Sequence, residues 1–195
     1  MKLQAAVLMA LVFGLPGEAP AVVIAGRITL EPPLFPTSDY QFATRHSEEP
    51  TPYDAFLFSS VDADTFQIDT YTLGAGVTLY ALQEGAAFGP ASASGFPLLA
   101  SNIGSGMGNQ FEIPVGQVSY FGIRTGQSPV PSGSDWYGWI RVRNNFTTLI
   151  DQGSATDYSG QGIYTGTLTA VPEPHAALLL LGLGGFLLRR REQFV

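Results

Sequence analysis

The sequence predicts an all-β protein: a single β-sandwich domain, jelly-roll-like, set between two apolar end segments. Three observations carry this. Between Gly26 and Ala170 the chain is rich in Tyr, Phe, Thr, Val, Ile and Gly, most of which favour a pleated, half-buried surface. Apolar and polar residues alternate there in short runs broken by clusters of Gly, Pro, Asn, Asp and Ser, the signature of many short strands joined by turns. No stretch of useful length repeats its apolar residues at helical spacing. The region holds about 145 residues, one domain's worth and enough to bury a real core.

At the N-terminus, Lys2 supplies a charged start, Leu3 to Leu15 an apolar stretch, and Ala19-Pro20-Ala21 a small-x-small cleavage pattern. These are the parts of a secretory signal peptide, so the chain is expected to be exported. Val23 and Ala25 repeat the cleavage pattern. The cut therefore follows Ala21 or Ala25, and the mature chain starts at Val22 or Gly26. On this reading residues 1–25 form the signal, 26–170 the sandwich and 171–195 a separate C-terminal segment. The chain has no cysteine, so an exported domain of this size stands on packing without a disulfide framework.

The expected strands are, in order, Tyr40–Thr44, Ala55–Val61, Thr65–Thr72, Val77–Leu82, Gln110–Ile113, Val118–Thr125, Trp136–Arg143, Phe146–Ile150 and Gly162–Thr169. Alternation along the third of these turns Phe66 and Ile68 inward, and along Val118–Thr125 it sets Phe121 and Ile123 in the core, opposite Tyr120 and Arg124. Asn144-Asn145 reads as a two-residue hairpin turn, because asparagine tolerates positive φ. Asn145-Phe146-Thr147 spells a glycosylation sequon, which is read as a coincidence. Glu31 to Pro36, Ser47 to Pro52 and Gln127 to Asp135 are loops by their proline and charge content. Gly85 to Pro97, rich in Ala, Ser, Gly and Pro, suits either a long loop or an irregular edge strand.

The C-terminal segment has three parts: Val171-Pro172-Glu173-Pro174, an unbroken apolar run of 13 residues from Ala176 to Leu188, and Arg189-Arg190-Arg191. The prolines stop any preceding strand or helix. The run must leave water, and the arginines hold its far end on the cytoplasmic side of a membrane. As a helix it would be about 20 Å long against a hydrocarbon core of about 30 Å, so it spans poorly alone. Gly182, Gly184 and Gly185 weaken it further, which suits a segment held briefly for an enzyme.

This layout resembles the C-terminal sorting signal of PEP-CTERM proteins, although His175 stands where small or hydroxylated residues are commoner in that family. The resemblance implies a sorting helix, transient attachment to the inner membrane, and processing by an exosortase-like membrane transpeptidase at a motif of Val171, Pro172, Glu173 and Pro174. It also implies a final location at the cell surface or in an extracellular matrix of exopolysaccharide. A second resemblance runs from Tyr120 onward. Tyr120-Phe121-Gly122-Ile123-Arg124, Trp136-Tyr137-Gly138-Trp139-Ile140-Arg141-Val142 and Gly160-Gln161-Gly162-Ile163 are similar to the last third of many such secreted proteins. That implies a β-rich surface domain and names no ligand.

Few residues offer chemistry. Between Gly26 and Ala170 there are 13 acids, five arginines and no lysine, a net charge of −8, which repels nucleic acid. His46 sits in a charged loop and is read as solvated. Without cysteine or a Gly-x-Ser-x-Gly elbow, nucleophilic hydrolase templates find no match, and zinc pairs are absent as well. Asp62 and Asp64 lie about 7 Å apart on one side of an extended segment, near Asp54 and Asp69. They are a weak candidate for calcium, which wants six to eight hard oxygens, against the plainer reading of a polar turn; no other cofactor is expected.

On the strand Trp136–Arg143, one face carries Trp136, Gly138, Ile140 and Val142 and the other Tyr137, Trp139, Arg141 and Arg143. The second face is the candidate glycan platform, with rings for sugars and guanidinium groups for acidic polysaccharide, unless its rings pack under a loop or neighbouring strand. The reading is thus a secreted, non-enzymatic protein, structural or adhesive in exopolysaccharide. The alternatives are a carbohydrate-binding module acting through those four residues and, less directly, a carboxylate-dependent enzyme on polysaccharide.

Overall fold

A computed structural model describes residues 22–31, 40–44, 54–69, 77–101, 109–125 and 135–171. Thirteen strands and one 3-10 turn, Ala93–Gly95, make up its elements. The strands are β1 (Val23–Ala25), β2 (Ile28–Glu31), β3 (Tyr40–Thr44), β4 (Asp54–Ser60), β5 (Thr65–Asp69), β6 (Val77–Leu82) and β7 (Ala87–Phe88). They continue with β8 (Leu98–Ser101), β9 (Gln110–Glu112), β10 (Val118–Thr125), β11 (Trp136–Asn144), β12 (Leu149–Asp157) and β13 (Ile163–Tyr164). One sheet runs β1-β12-β11-β10-β6-β8, the facing sheet β2-β3-β4-β5-β9, and a third, of two strands, β13-β7. All pairings between named strands are antiparallel.

The expected all-β class is the observed one, with a refinement of topology. The two large sheets are mostly meanders, β2 to β5 in one and β10 to β12 in the other, rather than the paired Greek keys of a jelly roll. Between them lies the main core: Ile28, Phe42, Phe56, Phe58, Phe66 and Ile68 from one sheet meet Leu79, Phe121, Ile123, Ile140 and Val142 from the other. The Phe42 ring stands 5.2 Å from that of Phe121, so aromatic contact joins the layers directly. Phe66, Ile68, Phe121 and Ile123 are inside, as alternation requires.

The six-stranded sheet is buried on its outer face too. Tyr80, Leu82, Tyr120, Tyr137, Trp139 and Ala155 form a second cluster with Phe88 and Ile163 of the two-stranded sheet. Gly122 makes this possible, because a Cβ there would stand 2.8 Å from Leu82 and 2.9 Å from the Phe88 ring, closer than packed atoms tolerate. The region from Gly85 to Pro97, which sequence left between loop and edge strand, holds β7 and the 3-10 turn and serves as this cover.

Four sequence expectations need correction. First, strand pairing reaches back past Gly26: β1 pairs Val23, Ile24 and Ala25 with Asp157, Thr156 and Ala155, and the chain then crosses to the other sheet, where Ile28 pairs with Thr44. Second, the strand expected at Phe146–Ile150 starts at Leu149 and runs to Asp157. Asp151-Gln152-Gly153 reads as turn chemistry, but it forms an irregularity in the β11–β12 register between Ile140 and Val142, and such bulges keep a strand going while breaking its period. Third, Gly162–Thr169 shrinks to Ile163–Tyr164, after which a turn brings Ala170 back beside Ile163. Fourth, β2, β7 and β8 are additional. Tyr40–Thr44, Val77–Leu82 and Val118–Thr125 have the expected bounds.

Residues 1–21 with Ala21, the segments expected as loops at 32–36, 47–52 and 127–134, His46, Thr70–Thr72, and the tail from Pro172 through Glu173, Pro174, Ala176, Leu188 and Arg189, Arg190 and Arg191 lie outside the described residues.

Candidate functional site

The sandwich has two distinct poles, about 30 Å apart along the nine residues of β11. At one, the backbone leaves β12 at Asp157 and turns through 158–162 into β13. Asp157 is fully buried, and its carboxylate organises the turn. One oxygen accepts hydrogen bonds from the Ser159 amide at 3.0 Å and the Ser159 hydroxyl at 2.6 Å, the other from the Gly162 amide at 2.8 Å. Gly162 has φ 104° and lies so close to the next layer that a Cβ would meet the Phe88 carbonyl oxygen at 2.5 Å, so only glycine fits there.

Both ends of the described chain join this turn. The Tyr158 amide donates to the Val22 carbonyl at 3.0 Å, and the Val171 amide donates to the Gly162 carbonyl at 2.9 Å. Tyr158 packs on Trp136 with ring centroids 5.4 Å apart, and burial pushes its hydroxyl up to about 12, opposed by the nearby Arg27. The two expected processing junctions, after Ala21 and from Val171 onward, therefore abut one turn on one pole. Sequence reading missed Asp157, yet Asp157-Tyr158-Ser159-Gly160 carries the Asp-Ser-Gly composition of an Asx turn.

Tyr137, Trp139, Arg141 and Arg143 do share one face of β11, but that face is covered, and this corrects the platform expectation for the two rings. Tyr137 is 2 % exposed and Trp139 6 %. The Phe88 ring stands edge-on to Tyr137 at 5.4 Å. Trp139 meets Tyr120 at 6.3 Å and donates its Nε1–H to the Thr167 carbonyl at 2.9 Å. Arg141 is half-buried and donates to the Gln152 carbonyl at 2.8 Å, while Arg143 alone of the four is exposed. Burial raises the hydroxyl pKa of both Tyr120 and Tyr137. Buried rings cannot stack on a sugar without removal of the β7–β13 layer.

Asp62 and Asp64 lie in the β4–β5 turn at the opposite pole. The Asp62 Oδ1 accepts from the amides of Asp64 at 3.0 Å and Thr65 at 2.8 Å, contacts that hold its carboxyl below the usual carboxylate value. Asp64 Oδ1 accepts from the Val115 amide at 2.8 Å. Each acid thus shapes a polar turn, and among the described residues no group of three or more His, Cys, Asp or Glu is placed to hold a metal ion. The side chains of Asp54 and Asp69 lie outside what is described.

Beside this turn the β11–β12 hairpin closes over residues 145–148. Asn144 ties the two together: its Nδ2 donates to the carbonyls of Ala63 and Ile113, each at 2.7 Å, and its Oδ1 accepts from the Phe146 amide at 2.9 Å. The left-handed residue is Phe146, at φ 65°, and not either asparagine as the sequence suggested. Between hairpin and turn lies a cleft of about 140 Å³ lined by Tyr40, Asp62, Phe146, Thr147 and Thr148 among others.

Residues 170–191 match the family model of the PEP-CTERM protein-sorting motif, the segment in which Val171 to Pro174 and the arginine cluster stand. The motif implies a secreted protein processed by an exosortase. No curated protein and no solved structure matches the chain.

Proposed function

We propose that this chain is a non-enzymatic surface or extracellular-matrix protein, structural or adhesive in exopolysaccharide, whose sandwich is handed to the cell exterior by its C-terminal signal. An exosortase-like membrane transpeptidase is the expected partner. One observation supports this reading above the others: the fold continues to Val171, where the matched motif has already begun, and the Val171 amide is bonded to Gly162. The domain and its sorting tag therefore meet with no spacer, and the same turn receives Val22, so a precursor still carrying both apolar ends would present one pole to the membrane. The acidic surface, five arginines against 13 acids, suits solubility outside the cell rather than nucleic-acid contact.

The test is the intact mass and both termini of the protein recovered from the surface fraction of its native host. A species starting at Val22 and ending near Glu173 is expected. One that retains Val195 would make it a tail-anchored membrane protein and overturn the sorting reading.

A further inference from the structure

At the pole opposite the junctions, three features coincide in one hairpin. Phe146 is the most exposed large apolar side chain among the described residues, at 71 %. It is also the one non-glycine residue among them with positive φ, a conformation in which a bulky side chain is strained. And it stands on the rim of the cleft. The turn chemistry alone asks for Gly or Asn at that position, and Asn145 is adjacent. A large ring kept in a strained backbone position, turned to solvent, suggests use rather than packing.

We propose that this cleft binds one ring of a neutral polysaccharide, with Phe146 as the platform for the sugar's apolar face. The lining is mixed in the way a polyol requires. Tyr40 and Phe146 supply aromatic surface, while Thr147, Thr148 and the Asp62 carboxylate supply polar groups for hydroxyls. An apolar peptide anchor would find too few greasy walls. Charge selects within the glycans: among the described residues the lining carries a carboxylate and no basic side chain, which disfavours an anionic polymer. Size selects too, since about 140 Å³ is well under the roughly 300 Å³ at which pockets for drug-sized molecules begin. That volume suits one ring of a polymer lying across the rim.

The walls are built before any ligand arrives, because Asn144 bonds both the β4–β5 turn and the hairpin; preformed walls reduce the ordering cost of binding. The inference rests on the proposed surface location, in which this pole faces away from the attached one.

The test is affinity electrophoresis of the full chain in detergent. The gels contain dextran, galactomannan, hydroxyethyl cellulose or the neutral fraction of the host's own exopolysaccharide, with alginate as the anionic comparison. Retardation by at least one neutral polymer and none by alginate is expected. Phe146→Gly, which removes the ring and relieves the backbone, should weaken it about tenfold, with unchanged circular dichroism. Leu168→Ala, an exposed side chain that does not line the cleft, should not. No retardation by any neutral polymer overturns the proposal, as does retardation that Phe146→Gly leaves intact. Self-association that Phe146→Gly abolishes, without glycan retardation, would assign the ring to a contact between copies and also overturns it. Surface location is read separately by fractionating host cells: a surface protein that binds no glycan sinks the cleft alone, and a glycan binder retained inside sinks the sorting reading alone.

Discussion

The Asp157 carboxylate takes the Gly162 amide at 2.8 Å, and Gly162 in turn takes the Val171 amide at 2.9 Å, so one buried side chain holds the turn from which the sorting tag departs. Asp157→Ala would leave the buried Gly162 amide, and the two part-buried Ser159 donors, without their acceptor. Losses of this kind cost about 1–3 kcal/mol. Urea unfolding should show that drop, and hydrogen exchange should show the Val171 amide opening with it. Asp157→Asn should cost less, because its amide oxygen can keep one of the two sets of bonds. If Asp157→Ala costs under about 1 kcal/mol and leaves Val171 protected, the turn does not depend on this side chain.

Signal cleavage is expected after Ala21 and not after Ala25. Both sites fit the small-x-small pattern, but the second would remove β1, three residues paired in register with β12, together with the bond from Tyr158 to Val22. That loss would take Val23 away from the second cluster and uncover its Ala155 edge. N-terminal sequencing of the mature protein decides between them. A sole start at Gly26 would show that β1 is dispensable.

How much of this could be read from the chain depends on which force set each element. Tyr40–Thr44, Val77–Leu82 and Val118–Thr125 were legible because burial on defined faces fixes their composition. The sorting motif was legible because composition, length and terminal charge coincide in one segment. The true extent of β12 was hidden by Asp151-Gln152-Gly153, where a local irregularity imitates a turn. The cover over Tyr137 and Trp139 was hidden for a different reason: β7 and β13 are two residues each, and only their long-range pairing with each other makes them strands. Alternation placed those two rings on one face correctly, but could not say that the face was closed. The Phe146 cleft joins segments more than 80 residues apart, and no local pattern reports that.

Alkaline pH should unfold this domain through its buried tyrosines. Tyr158 has a folded pKa of about 12 against an ordinary 10.0, raised by burial, and Tyr120 and Tyr137 shift in the same direction for the same reason. A group whose pKa is raised by folding keeps its proton better in the folded state. Its contribution is therefore whole below about pH 10 and is lost as pH rises through about 12. Denaturation midpoints measured across that window should fall, and Tyr158→Phe should flatten the decline. An equally steep decline in Tyr158→Phe would place the sensitivity elsewhere.

Phe146→Gly should make the protein more stable. At φ 65° a phenylalanine carries the left-handed penalty of about 1–2 kcal/mol, and because its ring is mostly in water, removing it forfeits little burial. Glycine adds unfolded-state entropy worth roughly 0.4–1 kcal/mol against this, leaving a net gain of up to about 1 kcal/mol. Asn144 Oδ1 accepts from the backbone amide at 146, so the hairpin geometry survives the change. For a chain of this size, a gain of about 1 kcal/mol raises the melting temperature by about 2–4 °C, within reach of calorimetry. A stabilised variant that has also lost glycan retardation would mean that the strain is kept for the ring's use. A variant that melts lower would mean that the ring packs in solution after all, and the argument from strain to function would fail with it.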